Sequence, residues 1–293
     1  MHLLIPFASR NDAAFLALAP TLKLPNLARL LQRLSPGPRD TASAESLLMP
    51  HERVLARALP AGPEASVIPC ARITPCHWQV GQGQVIMGNP DELDLNADES
   101  RALLSAMQPY FQEDGITLSD EQSGVWLAQG ELFRDLPLAS TDRVIGRNID
   151  DWLNKTPAAA KLNRLQNEMQ MLLYTHPVND RRAQRGAVAV NSFWASSPPV
   201  SPQILQANQW LVPRGLASAA LRQDATAWAQ AWQTIDASDC RALFAALEQG
   251  GEHALTLCGD QHAQTFTLTP QRFWTRIMNK IAPKPISKLL SEL

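Results

Sequence analysis

The chain reads as an α/β protein with a mostly parallel central sheet flanked by helices, and three observations predict this. Short apolar runs of strand length alternate with amphipathic stretches of helical period along most of the 293 residues. The first run, His2–Phe7, is apolar nearly throughout, as befits a strand buried on both faces. Apolar residues make up 45% of the chain and charged residues 18%, which supports a sizeable core and argues against extended disorder. No internal repeat is present, and a single domain over residues 1–293 is expected.

The elements follow in order. After the His2–Phe7 strand, Asn11-Asp12 can cap a short helix. Pro25 is placed to open a helix over 26–34, in which Leu27, Leu30, Leu31 and Leu34 keep to one face. Ser35-Pro-Gly-Pro-Arg-Asp40 stops it and predicts a surface loop to Met49. A second helix covers 50–59. Residues 60–90 are rich in Pro and Gly and read as a hairpin insertion, its strands at 77–80 and 84–87 around Gly81-Gln-Gly83. Asn96 or Asp98 caps a helix running to Phe111, with Pro109 near its end. A strand is expected at 125–128, then irregular chain over 132–148 and a short helix at 149–153.

The amphipathic helix 162–174 ends at Thr175-His176-Pro177, because a residue before proline disfavours the α region. A polar turn then leads to a strand at 187–190. Ser196–Pro202, rich in Pro and Ser, is a loop or a domain-scale seam. Beyond it come a strand at 209–212, helices at 224–233 and 238–249 ended by Gly250-Gly251, and a hairpin of 253–257 with 265–269 around Gly259-Asp260. Residues 270–293 read as a basic amphipathic helix and tail. Arg272, Arg276 and Lys280 lie on one face, and Phe273, Trp274, Ile277 and Ile281 on the other.

A formal net charge of −2 gives no global attraction to nucleic acid or anionic lipid. The C-terminal cations are the exception, and they leave nucleic acid as a secondary partner class. Cys70, Cys76, Cys240 and Cys258 form no C-x-x-C pair and read as isolated reduced thiols. No run reaches the ~20 apolar residues that span a bilayer. No basic region precedes the first strand to make a leader. The expected location is cytoplasmic, with no membrane association.

The residue types that carry chemistry concentrate in Leu162–Trp194. His176, Asn179, Arg181, Arg182, Asn191 and Ser192 fall at the junction of helix, turn and strand. Two guanidiniums offer bidentate donors to phosphate or carboxylate, two amides add partners, and an imidazole titrates near neutral pH. These six are the candidate ligand-binding residues; the bland alternative is a polar turn with solvated arginines. No G-x-S-x-G surrounds Ser192, so it does not read as a nucleophile. Thr141–Asn148, with Asp142, Arg143 and Arg147, reads equally well as an ion-pair network or a ligand site. His77 and Trp78 read as packing residues.

Several strings together resemble one family: LPNLARLLQRL at 24–34, ITPCHWQVG at 73–81, STDRVIGRNIDDWL at 140–153, RLQNEMQMLLYTHPVNDRR at 164–182 and VNSFW at 190–194. They are similar to the RpfE-type regulatory proteins, a family also labelled cofactor-independent phosphoglycerate mutase-like. The resemblance covers most of residues 1–194. It implies the alkaline-phosphatase superfamily, whose fold is an α/β sandwich holding two metals. This chain departs from that pattern. The first strand ends in Phe7-Ala8-Ser9, with no carboxylate before Asp12. No carboxylate stands four residues before His51, His77, His176, His253 or His262, so the D-x-x-x-H ligand motif is missing; Gly259-Asp260-Gln261-His262 is only loosely similar to the superfamily's late Asp-His pair.

The expectation is therefore a noncatalytic, mutase-like protein that binds a protein partner or a small anion, with a possible regulatory role and no metal cofactor. Two alternatives stay open. One is a phosphoglycerate mutase-like phosphotransferase using Mn or Zn, which needs several fixed ligands to hold two ions. The other is a nucleic-acid-associated factor acting through the C-terminal helix.

Overall fold

A computed structural model describes residues 1–41, 46–59, 68–198, 200, 202–268 and 285–293. The strands are β1 (His2–Ile5), β2 (Ser35–Thr41), β3 (Cys70–Cys76), β4 (Trp78–Val80), β5 (Val85–Met87), β6 (Thr117–Gln122), β7 (Val125–Gln129), β8 (Ser192–Ser196), β9 (Trp210–Leu211), β10 (Ala254–Cys258) and β11 (His262–Thr267). The helices are α1 (Ala13–Leu18), α2 (Pro25–Arg33), α3 (Pro50–Ala58), α4 (Ala97–Glu113), α5 (Thr141–Val144), α6 (Ala160–Tyr174), α7 (Pro177–Gln184), α8 (Pro202–Ala207), α9 (Gly215–Leu221), α10 (Ala225–Ile235), α11 (Arg241–Gln249) and α12 (Ile286–Ser291). Among the described residues no helix is long and apolar enough to cross a membrane.

The α/β class holds, and contacts divide the chain into two compact units. Met1–Pro60 and Val200–Leu293 form the first unit, and Ala61–Pro199 the second. One of the two boundaries falls inside Ser196–Pro202, the Pro/Ser-rich stretch read as a loop or a seam, and the other follows Pro60.

The first unit carries a five-stranded sheet in the order β2-β11-β10-β1-β9. β1 pairs in parallel with β10 on one side and with β9 on the other. β11 runs antiparallel to both β10 and β2. The sheet is thus mixed rather than mostly parallel. The cause is local: a three-residue connection at 259–261 permits only an antiparallel return, since a parallel one needs a crossover of a dozen residues or more. Leu3, Ile5, Leu255 and Leu257 are buried in one core with Leu27 and Leu30 of α2, Trp228 and Trp232 of α10 and Leu289, Leu290 and Leu293. Fully burying each such side chain contributes roughly 1.5–3 kcal/mol.

Two helix starts follow the sequence, but by different means. At α2 the buried Asp236 carboxylate accepts from the main-chain amides of Asn26 (3.2 Å) and Leu27 (2.7 Å). This places an anion at the positive end of the helix, where orphan amides need acceptors. Asp236 sits in a π-helical turn, Asp236–Cys240, that joins α10 to α11 without a break, so Ser238 and Asp239 cap nothing. In the second unit, Asn96 caps α4 reciprocally with Glu99.

The second unit builds a four-stranded antiparallel sheet, β6-β7-β3-β8, packed on α4 and α6. Phe111 and Phe193 meet at 5.4 Å between ring centroids in this core. β4 and β5 form the expected hairpin within 60–90. The C-terminal amphipathic helix expected around Arg272, Arg276 and Lys280 falls outside the described residues; of 270–293, the segment from Pro285 is described.

Candidate functional site

The polar residues of Leu162–Trp194 fold into main-chain clamps. The predicted strand at 187–190 is irregular chain, and the strand follows it as β8. The predicted polar turn is largely helix α7, because Pro177 suits the first helical position and His176 caps it. The His176 Nδ1 accepts from the Val178 amide at 3.2 Å. Partial burial, followed by the nearby Arg181 charge, holds this imidazole below its ordinary pKa. A neutral ring is the form that can accept at Nδ1.

Asn179 donates to Leu173 O and Val190 O, both at 2.8 Å, and accepts from the Val190 amide at 2.9 Å. Asn191 exchanges a similar pair with Trp78, accepting its amide at 2.7 Å and donating to its carbonyl at 2.9 Å. Arg182 is fully buried; it donates to Val188 O (2.7 Å), to Leu93 O and to Glu99 Oε2 (2.7 Å). Burial works to raise the Glu99 pKa, but hydrogen bonding from Arg185 and the charge of Arg182 hold it below the usual carboxylate value.

Ser192 lies in β8 facing Cys76 across the ladder, and its buried hydroxyl has no hydrogen-bond partner among the described residues. Arg181 is exposed while Arg182 is buried. Of the six expected ligand-binding residues, His176, Asn179, Arg182 and Asn191 are thus bonded to main-chain groups, Ser192 is buried and Arg181 is exposed. Main-chain groups of the irregular 187–191 segment take Asn179 and Arg182, those of Trp78 take Asn191, and the two neighbouring arginines part company.

The other sequence-flagged residues of this unit are also packed in place. Arg143 is buried, with its guanidinium 5.4 Å from the Trp152 ring centroid, and Arg147 stands 5.9 Å from the same ring. His77 Nδ1 meets Ala189 O at 2.9 Å, and Trp78 packs edge-on against Trp194. Burial raises the thiol pKa of Cys76, Cys240 and Cys258, which keeps them inert.

A different constellation forms in the first unit, at the carboxyl end of the central parallel strand β1. There the chain turns through Phe7, a bulky residue at φ 53°. Such a backbone persists only where its surroundings hold it. The holding groups are the Trp228 indole N–H, which donates to Phe7 O at 2.9 Å, and that of Trp232, which donates to Ala8 O at 3.2 Å. The Ala8 amide donates to Cys258 O at 2.7 Å, tying this turn to the end of β10.

Ser9 is buried, and Arg10 follows it. Arg10 presents Nε and Nη2 to Asp12 Oδ2 at 3.0 and 2.6 Å, while Nη1 lies 3.6 Å from Asp260 Oδ1. Asp260 also accepts from the Asn11 amide at 3.0 Å. Exposure differs sharply around this guanidinium. The Asp12 side chain is 56% exposed, against 13% for Arg10 and 11% for Asp260. Asp12 therefore serves Arg10 rather than capping α1, where it makes no side-chain cap bond.

Asp12 and Asp260, the two carboxylates that the mutase-like resemblance brought forward, do come together here, whereas His176 belongs to the other unit. Arg10 between them was missed. Its signal in the sequence was a lone cation two residues before the expected helix cap, directly after a strand end. Within either unit taken alone, no three His, Cys, Asp or Glu ligand atoms converge among the described residues.

No protein-family model and no curated protein matches the chain. Solved structures similar to the chain include the following two. The PH0037 protein from Pyrococcus horikoshii matches at 14% identity over 91% of this chain and 87% of its own, with a TM-score of 0.39. A cofactor-independent phosphoglycerate mutase from Thermoplasma acidophilum DSM 1728 matches at 13% identity over 92% and 90%, with a TM-score of 0.35.

Proposed function

We propose that this chain is a noncatalytic binding protein for a small oxyanion, a phosphate or carboxylate group, recognised by Arg10 at the carboxyl end of β1. The observation that carries the reading is the Arg10–Asp12 pair. A side chain of this chain already places a carboxylate oxygen against the Nε/Nη2 edge of a fixed guanidinium, the edge that recognises oxyanions bidentately.

Asp12 is more than half exposed, so a ligand oxyanion can displace it at small cost; exposed ion pairs contribute only ~0–1 kcal/mol. Asp260 holds the opposite side of Arg10 and keeps it aimed. The location supports the reading as well, because ligands of open α/β sheets collect beyond the carboxyl ends of parallel strands. So does the turn at Phe7, since strained backbone clusters at functional sites. Both carboxylates here face a guanidinium, a donor set suited to exchanging anions, and the reading calls for no metal cofactor.

The test is a calorimetric titration with inorganic phosphate. Arg10→Gln is expected to weaken binding at least tenfold. Asp12→Asn removes the internal competitor and is expected to strengthen it severalfold. Phosphate binding that ignores both substitutions would sink the proposal.

A further inference from the structure

The same turn is covered from a second direction by the segment Ile286–Leu293. Leu289, Leu290 and Leu293 are buried in the core of the first unit, and Glu292 pairs with Arg39 of β2 at 2.9 Å. The last of these residues reaches the strand ends themselves. Leu293 O accepts from the His262 amide at 3.0 Å, at the start of β11.

Its main chain comes so close to Gly259 that a Cβ there would meet Leu293 C at 2.5 Å and Leu293 O at 2.6 Å. That same Cβ would meet Ser9 Oγ at 2.5 Å, so Leu293 and Ser9 crowd one spot beside Gly259. Glycine is required at 259 for this close approach rather than for its dihedral freedom. The outcome is a turn with two faces. Asp12, on one side of Arg10, is more than half exposed, while Ser9 and Gly259, just past the end of β10, lie against Leu293.

We propose that residues 286–293 form an intramolecular strap that regulates the oxyanion site, closing its Ser9 face until Leu293 withdraws. This inference rests on the oxyanion reading above. With the strap seated, a phosphate group reaches only the outer edge of Arg10. With Leu293 withdrawn, the Ser9 hydroxyl becomes a further donor to the same group. A ligand that prefers the open form then binds with an affinity reduced by the fraction of molecules that are open. Apparent affinity and strap opening are therefore linked in a measurable way.

The experiment uses the full chain and inorganic phosphate. Leu293→Ala loosens the strap by removing buried apolar contact. The readouts are the calorimetric dissociation constant and the hydrogen exchange of the His262 amide, whose acceptor is Leu293 O. Leu293→Ala is expected to speed His262 exchange about tenfold and to tighten phosphate binding by a similar factor, at most to the limit set by a fully open strap. In Leu293→Ala/Ser9→Ala the exchange gain should remain while most of the affinity gain disappears.

Should Leu293→Ala fail to fold, Arg39→Gln cuts the partly exposed tether to Glu292 and gives the same test at about two- to fivefold. Faster exchange at His262 with unchanged phosphate affinity would overturn the strap and leave the oxyanion site standing. Unchanged exchange in both variants would also overturn the strap. No phosphate binding in any variant, or binding indifferent to Arg10→Gln, would overturn the oxyanion reading and the strap with it.

Discussion

The two units treat their polar residues in opposite ways. In the second, Asn179, Arg182 and Asn191 are engaged by carbonyls and amides of the irregular 187–191 segment and its neighbours. In the first, Arg10 faces two side-chain carboxylates, and the nearer of them is more than half exposed. Both regions are rich in charge and amide groups, yet only the arrangement of the first unit leaves a donor edge that a solute can compete for. A polar side chain held by main chain sets the shape of the chain. Held by another mobile side chain, it stays exchangeable.

The largest expected effect sharpens this comparison from the structural side. Arg182→Ala removes a buried guanidinium and leaves Glu99 paired with the partly exposed Arg185. Loss of one member of a buried pair costs roughly 3–5 kcal/mol. Urea denaturation should show it, and a change under 1 kcal/mol would mean that Arg182 is not the keystone described.

Acid should separate the units next. His2, stacked on Trp210 at 3.7 Å and bonded to Thr256 at 2.7 Å, has its pKa lowered from 6.5 to about 4 by burial and then by the N-terminal charge. Between those values the unfolded chain takes up a proton that the folded chain refuses. The neutral-His2 contribution is thus complete above pH 6.5 and declines as pH falls toward 4, by up to about 3 kcal/mol. Glu99 behaves differently. Its folded pKa lies below 4.5, so the stability it contributes persists until pH falls below that value. Native-state hydrogen exchange at pH 7 and 5 should therefore show β10 loosening while β7 holds. Equal loosening of both strands would break the contrast.

Asn191→Ala should cost about 1–3 kcal/mol, because two buried main-chain groups of Trp78 lose their partners. Asp12→Asn should change stability least, by no more than about 1 kcal/mol, while changing phosphate affinity. A thermal melt of each variant beside its phosphate titration settles which residues serve the fold and which the ligand.

Much of the architecture was legible from residue order. The amphipathic α2 and α6, the Asn96-capped α4 and the hairpin of β10 and β11 all follow local patterns of apolar spacing, caps and turn residues. What local pattern could not show was pairing. β2 is Ser-Pro-Gly-Pro-Arg-Asp-Thr, which reads as a loop, but at a sheet edge proline need not donate to the ladder. β3 is disguised by Pro75 and becomes a central strand only because β7 and β8 flank it.

The site was harder for the same reason. Asn179, Arg182 and Asn191 were conspicuous as residue types, but their acceptors lie on other elements or on irregular backbone. Arg10 was inconspicuous until β1 and β10 were set side by side, which brings Asp260 across 250 residues of sequence to meet it. Chemistry that depends on long-range pairing leaves little trace in local composition.

That same pairing bears on how the chain emerges during synthesis. Leu3, Leu4 and Ile5 find their sheet partners at Leu255, Thr256 and Leu257. At ~5–20 residues per second, the apolar β1 waits roughly 10–50 s for β10 to be made. The second unit is contiguous, so its strands and α4 and α6 can assemble while β1 is still unpartnered. Leu-Leu-Ile thus stays exposed as unpartnered apolar chain until β10 is made, and completion of the first unit waits on chain that follows the contiguous second unit.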